Sequence, residues 1–122
     1  MNIQNLLDSI KNRNLSHSNY ILFGEEEFFI DKIEASFLNH TIPQEEKVFN
    51  QKVLYGKETN VLSLITTLKS FPMIGSHQLI ILKDADKMDK IHELEKYFQN
   101  PIATSIFVIC YKKKTIDKRK KW

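Results

Sequence analysis

Residues 20–39, YILFGEEEFFIDKIEASFLN, contain the pattern that decides the fold. The apolar run Tyr20–Phe23 predicts a short strand, and Gly24 ends it. The three glutamates that follow suit the positive N-terminal end of a helix dipole. The next apolar residues recur at the spacing of an amphipathic helix, namely Phe29, Ile30, Ile33, Phe37 and Leu38. The stretch therefore predicts a strand, a glycine turn and a helix in succession.

The same alternation of strand and helix continues on both sides of this unit. Thr59 is the predicted N-cap of a helix. Val48–Phe49 begins a weaker strand, and Val53–Tyr55 is either its continuation or a second short piece. The other predicted elements are helices at 2–13, 60–68 and 91–98, strands at 79–82 and 105–111, and a last helix opening at 115.

Strands that are apolar throughout and separated by helices are typical of a parallel sheet covered on both faces. We therefore predict an α/β fold, a three-layer domain of the mononucleotide-binding type with about four parallel strands. Residues 1–122 form a single domain in this interpretation. Because the sequence stops within an opening helix, we expect it to be a fragment of a longer chain.

Composition excludes several classes of protein. The chain has 122 residues, 42% of them hydrophobic, which is enough for one core. No apolar run approaches the ~20 residues of a membrane span, and we expect no secretory signal. Cys110 is the single cysteine, so the chain has neither an internal disulfide nor a cysteine metal cluster. We expect Cys110 to be a buried core residue and the setting to be reducing and cytoplasmic.

The formal net charge of +3 is unevenly distributed. Residues 112–121, KKKTIDKRKK, hold seven of the 18 basic residues and one of the 15 acidic residues. Such blocks often contact nucleic acid, although a solvated helix end or a frayed terminus is the alternative. The candidate contacts to DNA or a partner are Lys112, Lys113, Lys114, Lys118, Arg119, Lys120 and Lys121.

No catalytic or cofactor site can be assembled from the sequence. A phosphate-binding loop would read GxxxxGK[ST] after the first strand, but Gly24 is followed by three carboxylates that repel phosphate. The acidic turn after the third strand, residues 83–86, only superficially resembles a magnesium site. The four histidines are scattered, and no serine lies in a GxSxG elbow. We expect no enzyme activity, no cofactor, no metal and no small-molecule substrate.

One loop is unusually apolar. Residues 71–74, Phe-Pro-Met-Ile, lie between a predicted helix and a predicted strand, where Pro72 and Gly75 interrupt regular structure. Loops usually run over the surface. These side chains either fold inward and plug the end of the sheet or form a surface that binds a partner.

Four motifs in order resemble those of one family, the delta subunit of the bacterial DNA polymerase III clamp loader, in its N-terminal AAA+-like domain. The resemblance covers nearly the whole chain from Tyr20 onward. The matching stretches are YILFGEEEFFIDK, VLYGKE, SFPMIGSHQLIILKDADKM and YFQNPIATSIFVICYKKKTIDKRKK. The resemblance implies an AAA+-like fold, related to P-loop NTPases, that has no functional phosphate loop and does not hydrolyse ATP.

The resemblance also implies a function in DNA replication, in which the subunit binds the sliding clamp and helps open it for loading onto primed DNA. The implied clamp-binding residues are Phe71, Pro72, Met73 and Ile74, with Met73 and Ile74 at the position of two bulky apolar anchors. The family often has Leu-Phe at this pair, so the role of the aromatic anchor has been lost or has moved to Phe71. We expect Phe71 to be at least partly buried in the core.

The implied partners are the sliding clamp, DNA in the full complex, and other loader subunits. The resemblance implies that those subunits join through a collar domain, and we expect this domain and the lid domain to lie outside the present fragment. No membrane is implied. The alternatives are a degenerate P-loop nucleotide-binding domain and a nucleic-acid binder that acts through residues 112–121.

Overall fold

The computed structural model describes residues 3–12, 15, 17–23 and 27–111. Its helices are α1 (Ile3–Lys11), α2 (Glu27–His40), α3 (Lys47–Asn50), α4 (Val61–Lys69) and α5 (Glu95–Phe98). Its strands are β1 (Asn19–Phe23), β2 (Gln51–Tyr55), β3 (Gln78–Lys83) and β4 (Ser105–Tyr111). Short 3-10 helices span Gln44–Glu46, Ala85–Lys87 and Ile91–Leu94.

The four strands form one parallel sheet in the order β1-β4-β3-β2. The two central strands are almost entirely buried, which explains why their sequences are apolar without alternation. The predicted α/β fold with a four-stranded parallel sheet is confirmed.

Helices cover both faces of this sheet. Helices α1 and α2 pack on one face around Ile10, Phe37 and Val108. Helix α4, the 3-10 helix at Ile91–Leu94 and α5 pack on the other face around Leu64 and Phe107. The three layers therefore follow the prediction, and Cys110 lies in the first of these clusters as a fully buried side chain.

The predicted strand at Val48–Phe49 is wrong, because these residues belong to α3 and the strand begins at Gln51. The helical segment begins after Pro43, whose fixed φ suits the start of a helix, and its first turn carries Glu45 and Glu46. The second half of the prediction, a strand at Val53–Tyr55, is confirmed.

Two other boundaries differ from the sequence prediction. Helix α4 is capped by Asn60 rather than Thr59, since the Asn60 side chain accepts a hydrogen bond from the Ser63 N–H at 2.8 Å. The predicted helix at 91–98 begins as a 3-10 helix and becomes α-helical only at Glu95. The predicted helix at 115 lies outside the described residues.

Within the described part of the chain, no helix is both long enough and apolar enough to cross a membrane.

Candidate functional site

The loop that joins α4 to β3 lies at the amino edge of the sheet and presents apolar side chains to solvent. Phe71 is 73% exposed, Met73 is 77% exposed and Ile74 is 42% exposed, while Pro72 is partly buried. Exposed apolar side chains that are contiguous along the chain are typical of a protein-binding surface. The four apolar residues singled out from the sequence therefore lie together on one loop.

The Phe71 side chain is mostly exposed and does not fill the end of the sheet. The expectation that Phe71 is partly buried in the core is therefore wrong. A buried polar side chain, Gln78, occupies the end of the sheet instead and holds the carbonyl oxygen of Ser70, the residue before Phe71. Because the backbone is held at that point, the loop turns away from the core and Phe71 remains at the surface.

Buried hydrogen bonds fix the start of the loop to two strands. The Gln78 amide nitrogen donates to the Ser70 carbonyl at 2.9 Å and to the Ser105 hydroxyl at 2.8 Å. Ser105 in turn donates to the carbonyl of Leu68 at 2.6 Å. Buried polar groups are retained where such bonds satisfy them, and a satisfied network makes the local structure rigid. The end of α4 is therefore fixed to β3 and β4.

A second buried amide fixes the far side of the loop. The side-chain nitrogen of Asn50, a residue only 1% exposed, donates to the Ile74 carbonyl at 2.5 Å and to the His77 carbonyl at 3.3 Å. Gly75 lies between these two carbonyls with φ at +67°, a conformation that favours glycine. The Glu46 carboxylate occupies the place where a Cβ of residue 75 would stand. The loop is thus held on both sides by side chains of other elements.

A cleft of about 650 Å³ adjoins this loop on the α2 side of the sheet. Its lining combines apolar side chains with polar ones, namely Thr41, Glu46, Ser76 and His77. The remaining lining residues are Leu15, Ile42, Pro43, Gly75 and Ile106. A partner that binds the loop therefore also has access to a partly apolar concave surface.

The opposite, carboxyl edge of the sheet is where ligands bind in folds of this type. Strand β3 ends there at Lys83, whose Nζ lies 3.3 Å from Glu34 Oε2. The buried Glu34 also accepts a hydrogen bond from the Cys110 thiol at 3.4 Å. The Lys83 ammonium lies over the ring of Tyr55, 5.8 Å from its centroid. An ion pair between two side chains of the chain itself thus occupies this part of the carboxyl edge.

Among the described residues, no group of three or more His, Cys, Asp or Glu side chains could hold a metal ion. Residues 24–26, the glutamate loop that replaces a phosphate loop, lie outside the described part of the chain.

The sequence model of the DNA polymerase III delta subunit matches residues 20–122. The chain belongs to this family. It is 29% identical over 115 residues to the DNA polymerase III subunit delta of Bacillus subtilis (strain 168), a match that covers 86% of this chain and 33% of that protein. The chain thus spans about a third of the length of this delta subunit.

The fold agrees with a solved structure of the delta family. The Bacillus subtilis DNA clamp loader delta protein superimposes with a TM-score of 0.83 at 25% sequence identity. The superposition covers 98% of this chain and 38% of the chain in that structure. The α/β fold of this chain is therefore shared with that clamp loader delta protein.

For this delta-family chain, the sequence identified the exposed loop but missed the residues that hold it. Three side chains, those of Asn50, Gln78 and Ser105, donate hydrogen bonds to carbonyl or hydroxyl oxygens of residues far away in the sequence. No local sequence pattern indicates such bonds. A signal was available, since Gln78 and Ser105 are polar residues at the starts of otherwise apolar strands. The basic residues Lys112, Lys113, Lys114, Lys118, Arg119, Lys120 and Lys121 lie outside the described residues.

Replacing Asn50 with alanine tests the far attachment of the loop. The substitution leaves the carbonyls of Ile74 and His77 without their side-chain donor. We expect a loss of about 1–3 kcal/mol in the free energy of unfolding, the usual cost of unpaired buried polar groups. Urea denaturation followed by circular dichroism measures it. The control is Asn100→Ala, at an exposed position, and an equal loss in both variants would contradict the assigned role of Asn50.

Proposed function

We propose that this chain is the N-terminal domain of a non-catalytic clamp-loader subunit and that it binds the sliding clamp through residues 71–74. The observation that carries the proposal is the exposure of Phe71, Met73 and Ile74 on a loop fixed by buried hydrogen bonds. In the full-length subunit, this contact would help to open the clamp for loading onto primed DNA during replication.

The energetics of the loop support a protein partner. Full burial of one large apolar side chain contributes about 1.5–3 kcal/mol, and a few such anchors usually dominate the affinity of an interface. Met73 adapts to the shape of a pocket because its side chain is unbranched. Since the loop is already held by Asn50 and Gln78, little conformational entropy is lost when it binds.

The carboxyl edge of the sheet supports a non-catalytic role. The ammonium of Lys83 faces the Glu34 carboxylate, so its charge is partly compensated within the chain. The proposed role needs no bound nucleotide. We also propose that residues 112–121 contact DNA or another subunit in the complete loader.

Binding of the 122-residue chain to its cognate clamp, immobilised on a biosensor, tests the proposal. We expect saturable binding whose dissociation constant changes by less than about threefold between 50 and 500 mM NaCl, because apolar contacts are not screened by salt. A steep loss of affinity with salt would instead assign the contact to residues 112–121. Absence of binding at any salt concentration would contradict the proposed function.

A calorimetric titration with ATP and Mg²⁺ distinguishes the alternative of a degenerate nucleotide-binding domain. We expect no heat of binding. Measurable affinity for ATP together with no affinity for the clamp would favour that alternative.

A further inference from the structure

Helix α3 presents two apolar side chains that remain largely exposed in the described part of the chain. Val48 is 87% exposed and Phe49 is 52% exposed. Neither side chain belongs to the two core clusters of the sheet. Both side chains therefore lie outside the two described cores of the domain.

These two residues are linked to the loop at 71–74 through their neighbour in sequence, Asn50. The next residue, Asn50, bonds the carbonyls of Ile74 and His77. Helix α3 then runs into β2, which pairs with β3, the strand that continues the loop. The exposed part of α3 and the loop are therefore parts of one fixed structure at the amino edge of the sheet.

We infer that Val48 and Phe49 are the second half of the clamp-binding surface, so that the clamp covers α3 together with the loop. This inference rests on the proposed function, since it names further residues for the same partner. A specific interface of standard size uses about 20–30 residues on each side, many more than the loop from Ser70 to His77 contains. The clamp must therefore touch neighbouring surface, and α3 is the apolar neighbour that Asn50 fixes to the loop.

The chemistry of α3 fits this use. Valine is a weaker helix former than alanine, so an 87% exposed Val48 in a four-residue helix gives no advantage to folding. Phe49 offers an aromatic face, the kind of side chain that is enriched in the centres of interfaces. Both residues offer the clamp apolar contacts that match those of Phe71, Met73 and Ile74.

The test compares variants of the 122-residue chain on immobilised cognate clamp. We expect Val48→Ala combined with Phe49→Ala to weaken binding at least tenfold while the melting temperature changes by no more than about 2 °C. The matched control is Leu62→Ala combined with Phe28→Ala, which removes two side chains that are 77% and 69% exposed on other parts of the surface. The control variant should bind within twofold of the wild type.

The outcomes separate this inference from the proposed function. If the α3 variant binds as tightly as the wild type while the wild type binds the clamp, the inference is overturned and the proposed function stands. If the wild type does not bind the clamp, the proposed function fails first, and the inference fails with it.

A second measurement tests the same contact without the double alanine variant, so its result does not depend on whether that variant folds. A photoreactive phenylalanine analogue at position 48 should form a covalent crosslink to the clamp upon illumination. The same analogue at position 62 should not do so. No crosslink from position 48 in a chain that binds the clamp would also overturn the inference.

Discussion

Replacing Met73 and Ile74 together with alanine is expected to weaken binding to the clamp at least about 100-fold. Each side chain contributes about 1.5–3 kcal/mol if the clamp buries it, and ~1.4 kcal/mol corresponds to a factor of ten in affinity. Alanine retains only the β-carbon of each anchor, so most of that contribution is lost. The dissociation constants of the wild type and the double variant on immobilised clamp measure the effect.

The same double substitution should leave the domain almost as stable as the wild type. Met73 is 77% exposed and Ile74 is 42% exposed, so neither contributes much to the core. We expect the melting temperature to fall by no more than a few degrees. A large loss of stability with unchanged clamp affinity would mean that the two side chains support the loop instead of binding a partner.

A single Phe71→Ala variant decides which residue is the main anchor. Phe71 is 73% exposed and is the aromatic residue of the loop, whereas the pair Met73 and Ile74 contains none. If Phe71 has taken over the aromatic role, the single variant should lose about as much affinity as the double variant. If it has not, the single variant should stay within a few-fold of the wild type.

The second large effect is expected for Gln78→Leu, which keeps the approximate size of the side chain but removes its amide. The Ser70 carbonyl and the Ser105 hydroxyl then lose a buried partner. At about 1–3 kcal/mol for each of these two groups left unpaired, the free energy of unfolding should fall by roughly 2–6 kcal/mol. Urea denaturation of the variant and the wild type measures this difference.

Gln99→Leu is the matched control, because Gln99 is exposed near the end of α5. It should change the free energy of unfolding by less than about 0.5 kcal/mol. In the folded fraction of Gln78→Leu, the start of the loop is released from β3, so we also expect weaker clamp binding. Unchanged stability of Gln78→Leu would show that the buried amide does not hold the loop in place.

The fold could be predicted largely from the sequence because its two central strands are buried on both faces. Leu79–Leu82 in β3 and Ile106–Cys110 in β4 are uninterrupted apolar runs, and the helical segment between these strands has regular apolar spacing. The strand predicted at Val48–Phe49 failed for a physical reason. Two adjacent apolar residues look the same in a strand and in a single exposed helical turn, and only the tertiary structure distinguishes them.

The candidate site was only partly accessible to sequence reasoning. Pro72 and Gly75 marked residues 71–74 as a loop, but no local pattern tells whether a loop side chain points inward or outward. That direction depends on Gln78 and Asn50, which bond to backbone carbonyls elsewhere in the chain. The surface that we assign to α3 was hidden for the same reason, since its link to the loop is a hydrogen bond between Asn50 and Ile74.

The position of β1 in the sheet has a consequence for synthesis on the ribosome. Among the described strands its neighbour is β4, and Asn19 pairs with Phe107, so the first strand made pairs with the last strand described. At about 5–20 residues per second, β1 must wait on the order of ten seconds for that partner to be translated. The apolar segment Tyr20–Phe23 is meanwhile without its strand partner. The nascent chain therefore leaves the pairing edge of this apolar segment open until β4 has emerged.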